Sequence, residues 1–368
     1  MLEDFDLEQI VEPLLGWFEK NARTLPWRSV ATPYRVWVSE IMLQQTRVEA
    51  VKPYFARFME ALPMVQDLAE CEEERLLKLW EGLGYYNRVR NMQIAAQTVM
   101  EQYNGELPAD YEKLRELKGI GNYTAGAIAS IAYGIPVPAV DGNVLRILMR
   151  VSADDSDIMK QSVKTKVEQA LLKVIPSDRA GSFNQALMEL GAIVCVPNGE
   201  PLCGQCPWRD FCETRIRGLW QELPVKSKAK ARKIEERTVL VIRDGERVVL
   251  KKRPKRGLLA GLYEFPNELG KLSEDEALHA VQEMNLHPMR IQKLEDAKHI
   301  FSHVEWDMKG YLIRVDELAP KREGPDSADW IYIEPSETRE KYPIPSAFAV
   351  YAKGLNMKLG ARENDPGQ

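Results

Sequence analysis

The chain contains few histidines and cysteines and no long apolar run, and each shortage excludes a class of protein. Its 368 residues include four histidines, all beyond residue 278, so the N-terminal three quarters has no histidine base or catalytic triad. The longest apolar stretch, residues 125–140, is interrupted by glycine and proline and is shorter than the roughly 20 residues that span a bilayer. Catalysis in the N-terminal part must therefore depend on other groups, carboxylates foremost.

The N-terminus lacks the basic and then apolar organisation of a secretory signal. We therefore expect a cytoplasmic protein, in which five cysteines favour metal binding over disulfides. The formal net charge of -5 argues against a polyanionic partner, but residues 217–256 hold fourteen Lys and Arg against five Asp and Glu. This segment is either a solvated linker or, as we favour, a strip that follows a phosphate backbone.

Hydrophobic periodicity predicts a multi-domain chain. Apolar residues recur at a spacing of three to four over the first 216 residues, which predicts helices over 36–51, 73–83, 89–103, 124–133, 144–151, 164–174 and 183–194. Alternating or β-branched runs predict strands over 238–243, 247–251, 308–315 and 330–333, with one helix over 275–284. We expect an all-α domain over 1–216, a basic linker over 217–235, an α+β domain over 236–358 and a frayed tail over 359–368.

Two glycines, Gly119 and Gly121, lie in the segment LKGIGNYTA over residues 117–125. They allow a tight turn whose amide N–H groups, with the N-terminus of the following helix, can bind an anion such as a DNA phosphate. A plain turn between two helices would have the same sequence.

Four cysteines, Cys195, Cys203, Cys206 and Cys212, are separated by seven, two and five residues and follow a predicted buried helix. Four thiolates can hold either structural zinc or an iron-sulfur cluster, and the spacing alone leaves both open.

Two carboxylates lie in apolar sequence, Glu40 within VWVSEIML and Asp141 after PVPAV. A desolvated glutamic acid can keep its proton near neutral pH, whereas a carboxylate at a helix N-terminus stays ionised. An acid beside an anion is the arrangement that cleaves glycosidic bonds. An ordinary ion pair for Glu40 and an ordinary helix cap for Asp141 are the alternatives.

Five segments together resemble the helix-hairpin-helix DNA glycosylase superfamily and, within it, the adenine DNA glycosylase family. They are LPWR over 25–28, WVSEIMLQQT over 37–46, WEGLGYY over 80–86, VDGNV over 140–144 and FNQA over 183–186. The resemblance implies an enzyme that flips adenine out of double-stranded DNA, opposite 8-oxoguanine or guanine, and hydrolyses its N-glycosidic bond.

The resemblance also implies roles for individual residues. Glu40 would protonate the adenine and Asp141 would stabilise the sugar cation, with Tyr123 and Asn143 supporting them. Endonuclease III and related lyases have lysine at position 123, so tyrosine there predicts base removal with little strand cleavage. Further expected contacts are the adenine pocket, formed by Trp27, Arg28 and Gln185, and two residues that wedge into the base stack, Gln45 and Tyr85.

The four cysteines would hold a [4Fe-4S] cluster, although the first gap is seven residues where the commonest family pattern has six. The C-terminal part resembles a Nudix-like domain through LYEFP over 262–266, but the segment HAVQEM over 279–284 lacks the paired glutamates that hold magnesium. This domain is therefore expected to bind, with Phe301, Ser302 and His303 contacting 8-oxoguanine.

The leading hypothesis is thus a monomeric, monofunctional adenine DNA glycosylase. The alternatives are an endonuclease III-like lyase, which Tyr123 opposes; a silent lesion-binding protein, which the two carboxylates oppose; and a nucleotide pyrophosphatase, which the incomplete metal helix opposes.

Overall fold

The computed structural model of the chain describes residues 2–227, 231–245, 247–318, 330–357 and 359. It contains two compact units. One unit is formed by the residues up to Glu70 together with those from Arg90 to the end of the first described range, and the other by Cys71–Val89 together with the C-terminal part. The units are therefore not two successive halves of the chain, because a segment from within the helical part belongs with the C-terminal residues.

The first described range is helical. In chain order its α-helices are α1 Val11–Asn21, α2 Pro33–Leu43, α3 Val48–Ala61, α4 Val65–Glu70, α5 Glu73–Leu79, α6 Asn87–Gln102, α7 Tyr111–Glu116, α8 Asn122–Tyr133, α9 Gly142–Val151, α10 Gln161–Val174, α11 Ala180–Ile193 and α12 Glu213–Arg217. The continuous helix expected over 36–51 was wrong. Gln45 has a φ of 59°, in the left-handed region, and the turn around it separates α2 from α3.

Helices α8, α9 and α11 form the frame of the first unit. Side chains from α1, α9, α10 and α11 fill one apolar core, which includes Leu14, Leu148 and Phe183. Helix α11 also fixes the segment before α9, because the buried Asn184 accepts from the backbone N–H of Ala139 at 3.0 Å and donates to the carbonyl of Val137 at 2.9 Å. This contact holds the backbone that leads into Asp141.

The C-terminal part of the second unit is built on one mixed sheet. Its strands are β1 Lys233–Arg243, β2 Val248–Lys252, β3 Tyr263–Glu264, β4 Asn267–Leu269, β5 Pro288–Lys293, β6 Ala297–Ile300, β7 Val304–Val315 and β8 Trp330–Ile333. The central path is β3-β2-β1-β7-β5, in which β1 and β7 are parallel. Helix α13 Glu274–Glu283 packs on one face, and residues around Phe348 cover the other, where α14 Ala349–Ala352 follows.

Strand β1 begins at Lys233, inside the segment expected as a linker, because its first residues pair with the start of β7 (Lys233 with Val304). Of the expected tail, only Leu359 is described, and Lys228 and Lys230 of the basic strip also lie outside the described residues. None of the helices in the described part of the chain has the length and apolar character of a membrane-spanning segment.

Candidate active site

A cavity of about 1030 Å³ in the first unit brings together eight of the residues singled out in the sequence. They are Trp27, Arg28, Glu40, Gln45, Tyr123, Asp141, Asn143 and Gln185. These side chains come from the segment before α2, from α2 and the turn after it, and from the starts of α8 and α9 and the middle of α11. The helical frame therefore places them around one space large enough for a nucleobase.

Glu40 lies in the last turns of α2 and is 5% exposed. The Tyr123 hydroxyl donates to its Oε2 at 2.5 Å. Burial raises the pKa of Glu40 to about 7, against the lowering effect of that hydrogen bond and of Arg28, while the nearby Asp141 raises it further. Burial also raises the pKa of Tyr123 well above its usual range, so the phenol remains a hydrogen-bond donor. Glu40 can thus hold a transferable proton near neutral pH.

Asp141 is the N-cap of α9. Its Oδ1 accepts from the backbone N–H of Val144 at 2.8 Å, and its Oδ2 accepts from the side-chain amide of Asn143 at 2.8 Å. Burial raises its pKa above the ordinary value, and these donors act against that effect by favouring the ionised form. One carboxylate thus caps the helix and is also the candidate anion. The two interpretations of Asp141, a helix cap and a group that stabilises a cation, are therefore compatible.

Asn143 is in turn held by Arg146, which the sequence gave no reason to single out. The guanidinium of Arg146 donates to Asn143 Oδ1 at 2.8 Å and to the carbonyl of Cys195 at 2.9 Å. Helix α11 also passes close by, since a Cβ added at Gly191 would lie 2.7 Å from the Cβ of Asn143. The backbone of one cysteine is thereby connected through two side chains to Asp141.

The four predicted cysteines line a second cavity, of about 260 Å³, in the same unit. Buried Arg150 faces it and donates to Cys195 Sγ at 3.4 Å. Among the residues that the structure describes, no three Cys, His, Asp or Glu side chains are grouped as a single metal ion requires. Four thiols around one space are ligands that either zinc or an iron-sulfur cluster accepts.

The two hairpin glycines connect α7 to α8. Gly119 has a φ of 81°, and a Cβ there would lie 2.8 Å from the Cβ of Asn91, so both conformation and space require glycine. Gly121 is the N-cap of α8 in extended conformation and leaves open space beside it. The predicted tight turn is present, with a helix N-terminus directly after it.

The two predicted wedge residues share a backbone conformation. Gln45 and Tyr85 have φ values of 59° and 47°, a region that residues other than glycine enter rarely and that clusters at ligand contacts. Tyr85 belongs to the second unit and is 49% exposed. Its hydroxyl accepts from the Oγ of Ser302 at 3.2 Å.

The predicted lesion-reading residues form the turn between β6 and β7. Phe301 stacks edge-on against Trp306, with ring centroids 4.9 Å apart, and so fixes the turn on the sheet. Ser302 and His303 are exposed. The turn thus presents two exposed polar side chains, of which Ser302 contacts Tyr85.

Sequence reasoning missed Glu189, which lines the large cavity from α11 and is 1% exposed. It forms ion pairs with Arg23 at 2.7 Å and Arg28 at 2.9 Å. Burial acts to raise its pKa, but the hydrogen bonds from both arginines outweigh that effect and hold the pKa below the usual range. A usable signal was present, since Glu189 is a lone carboxylate in the apolar run ALMELGAI, as Glu40 is in VWVSEIML.

Both parts of the chain match known protein families. Residues 38–177 match the HhH-GPD superfamily of base excision DNA repair proteins, and residues 238–353 match the NUDIX domain. A solved complex of endonuclease III with DNA is 25% identical, with a TM-score of 0.50 over 58% of this chain and 99% of that one. A solved thermostable thymine-DNA glycosylase, 24% identical, has the same fold at a TM-score of 0.52 over 57% of this chain and 97% of that one.

Curated relatives are similar to this chain in sequence over most of its length, including both units. The adenine DNA glycosylase of Mus musculus is 36% identical over 86% of this chain and 73% of its own length. That of Homo sapiens is 34% identical over 88% and 70%, and that of Buchnera aphidicola (strain APS) is 33% identical over 83% and 87%. The chain belongs to the adenine DNA glycosylases, DNA N-glycosylases with a helical HhH-GPD domain and a Nudix-like domain.

Proposed function

We propose that the chain hydrolyses the N-glycosidic bond of adenine opposite 8-oxoguanine, and also opposite guanine, without cutting the strand. The observation that carries this proposal is the pairing of two unlike carboxyl groups in one cavity. Glu40 is buried with a pKa of about 7, while Asp141 is capped by a backbone N–H and the Asn143 amide. An acid and an anion facing one space are what this bond cleavage requires.

In the proposed reaction the carboxylic acid of Glu40 donates its proton to a ring nitrogen of the flipped adenine. The bond between base and sugar breaks, and its electrons leave with the base. The Asp141 carboxylate stabilises the resulting sugar cation or captures it transiently. Water then adds to the sugar carbon and passes a proton to the Glu40 carboxylate, which leaves an abasic site and restores the acid. Tyr123 holds Glu40 in place, and Asn143 holds Asp141.

The absence of strand cleavage follows from Tyr123. A lysine amine could attack the sugar carbon and form an imine, but a phenol cannot. The raised pKa of Tyr123, caused first by burial and then by Glu40 and Asp141, keeps the phenol protonated and further lowers its nucleophilicity.

Cys195, Cys203, Cys206 and Cys212 are proposed to hold a [4Fe-4S] cluster, whose contribution would be to cross-link the segment from the end of α11 to α12. Arg150 is compatible with this assignment, because its buried guanidinium lies 3.4 Å from Cys195 Sγ and would offset part of the negative charge of a bound cluster. The longer first gap is accommodated in the loop between Cys195 and Cys203.

DNA is proposed to contact the hairpin of Gly119 and Gly121 through phosphate, and Gln45 and Tyr85 through the base stack. Ser302 and His303 would read 8-oxoguanine. Support comes from the open space at Gly121, the left-handed backbone of both wedge residues and the exposure of the turn. We expect the chain to act as a monomer, in a cytoplasm that contains the nucleoid.

One assay tests the proposal. Excess protein is incubated with duplexes carrying adenine opposite 8-oxoguanine or guanine, and free adenine and strand breaks are measured before and after alkali. We expect adenine release, breaks only after alkali, and a release rate about 1000-fold lower for Asp141→Asn, since a charge-stabilising group is removed. Breaks without alkali, or an Asp141→Asn rate equal to the wild-type rate, would contradict it.

A further inference from the structure

Glu189 has no part in the reaction as proposed, yet it is the least exposed carboxylate among the described residues, at 1%. It lies in the middle of α11 and lines the same cavity as Glu40 and Asp141. A buried carboxylate is unfavourable unless it is paired and hydrogen-bonded. Its partners therefore indicate what it does.

Both oxygens of Glu189 are used by two arginines. Oε1 accepts from the backbone N–H of Arg23 at 2.9 Å and from Arg23 Nε at 2.7 Å. Oε2 accepts from a second guanidinium nitrogen of Arg23 at 3.0 Å and from Arg28 at 2.9 Å. The Arg23 contact is a two-pronged guanidinium–carboxylate pair, which fixes direction as well as distance.

Arg28 is held from three sides. Besides Glu189, its guanidinium donates to the carbonyl of Arg23 at 3.0 Å and lies 5.4 Å from the centre of the Phe18 ring. The Glu189 contact is the one that supplies a full negative charge. Without it, the Arg28 guanidinium would keep one neutral acceptor and a ring face, and Arg23 and Arg28 would lose the carboxylate that pairs with both of them.

We infer that Glu189 is a positioning residue that aims Arg28 at the flipped adenine and thereby supports the chemical step. This inference rests on the proposed place of Arg28 in the adenine pocket. A displacement of about 1 Å in such a positioned group can lower a rate about 100-fold, so the expected effect is large for a residue that touches no reacting atom. A purely structural ion pair would instead stabilise the unit, so its loss would lower the melting temperature and leave the release rate of the folded protein unchanged.

A double-mutant cycle separates the two roles. Single-turnover rates of adenine release are measured for wild type, Glu189→Gln, Arg28→Gln and the double variant, with DNA affinity and melting temperature measured alongside. We expect Glu189→Gln to lower the rate about 10- to 100-fold with DNA affinity within about threefold, and the double variant to be no slower than Arg28→Gln. Rate losses that multiply in the double variant would overturn the inference.

Two further variants complete the test. Glu189→Asp keeps the charge. On a logarithmic scale it should recover at least about a third of the release rate that Glu189→Gln loses, since one carboxylate oxygen still reaches an arginine. If Glu189→Gln does not fold, the cycle is run with Glu189→Asp, and multiplying losses again refute the inference. Glu12→Gln is the matched control, because it removes an exposed carboxylate that pairs with Arg179 at 2.6 Å, and its rate should equal that of wild type.

Failure of the proposed function gives a different result. If wild type releases adenine opposite guanine but not opposite 8-oxoguanine, the lesion preference is wrong. The cycle is then measured on the duplex with guanine, where non-additivity still decides the role of Glu189.

Discussion

The two carboxylates proposed for catalysis in the first unit are buried, whereas the residues proposed for recognition in the second unit are exposed to solvent. In the first unit, Glu40 is 5% exposed and both oxygens of Asp141 already accept hydrogen bonds. In the second, Ser302 and His303 lie exposed on a turn and Tyr85 is 49% exposed. Proton transfer needs groups whose pKa and direction are set before the substrate arrives, whereas recognition residues acquire partners when DNA binds. Substitutions at the buried carboxylates of the first unit should change the chemical step, and those at the exposed turn of the second should change selectivity among duplexes.

The largest expected effect is that of Glu40→Gln. The amide cannot donate the proton, so the single-turnover rate of adenine release should fall about 1000-fold, within the usual range for general acid catalysis. DNA affinity should stay within about threefold of wild type, since a proton donor stabilises the transition state rather than the bound ground state. A residual rate within tenfold of wild type would show that the proton comes from elsewhere.

The same variant should be more stable than wild type, and the gain should depend on pH. The pKa of Glu40 is raised from 4.5 to about 7 in the folded chain, so wild-type stability is full below 4.5 and declines as pH rises from there through about 7. The amide removes this loss, which we put at about 1–3 kcal/mol at pH 8. The free energy of unfolding of both proteins at pH 4 and pH 8 checks this, and an equal difference at both values would contradict it.

The sequence was sufficient to single out eight residues of the first unit's cavity, because their motifs are local. Glu40 and Asp141 stand out as carboxylates in apolar segments, and both lie in one cavity. The sequence did not reveal the contacts of Arg146 and Glu189, whose partners are remote: Arg146 contacts Cys195, and Glu189 contacts Arg23. A polar residue on a helix gives no sign of which distant backbone or side chain it will meet.

The second unit was harder to predict for a related reason. Strands β5 and β6 went unrecognised because their residues are largely exposed and polar, so the apolar alternation that signals a strand is weak. The segment Cys71–Val89 reads as part of a helical domain, yet it belongs with the C-terminal residues. This segment contacts the C-terminal residues through individual hydrogen bonds, such as the one from the backbone N–H of Ile344 to the Glu81 carboxylate at 2.7 Å. Hydrophobic periodicity cannot reveal such contacts.

A smaller effect on the rate of adenine release is expected from Gly191→Ala, which tests whether the position of the Asn143 side chain matters for the reaction. The added methyl group would lie 2.7 Å from the Cβ of Asn143 and would displace the amide that donates to Asp141. We expect adenine release to slow about tenfold, since a positioning contact is lost while the carboxylate remains. Gly16→Ala in α1 is the control: its methyl group meets nothing within 4 Å, so the rate should be unchanged. Equal rates for both variants would mean that Asn143 tolerates displacement.

The smallest effect is expected at the exposed turn, from Ser302→Ala. The change removes the 3.2 Å hydrogen bond to the Tyr85 hydroxyl in a solvent-exposed place, so the free energy of unfolding should change by less than about 0.5 kcal/mol. Because Ser302 is proposed to read the lesion, the ratio of release rates opposite 8-oxoguanine and opposite guanine should fall about two- to fivefold, the size of one modest hydrogen bond. The rate opposite guanine is the internal control and should not change. If both rates fell equally, Ser302 would act on the chemical step, and the division of labour between buried and exposed residues would fail at that position.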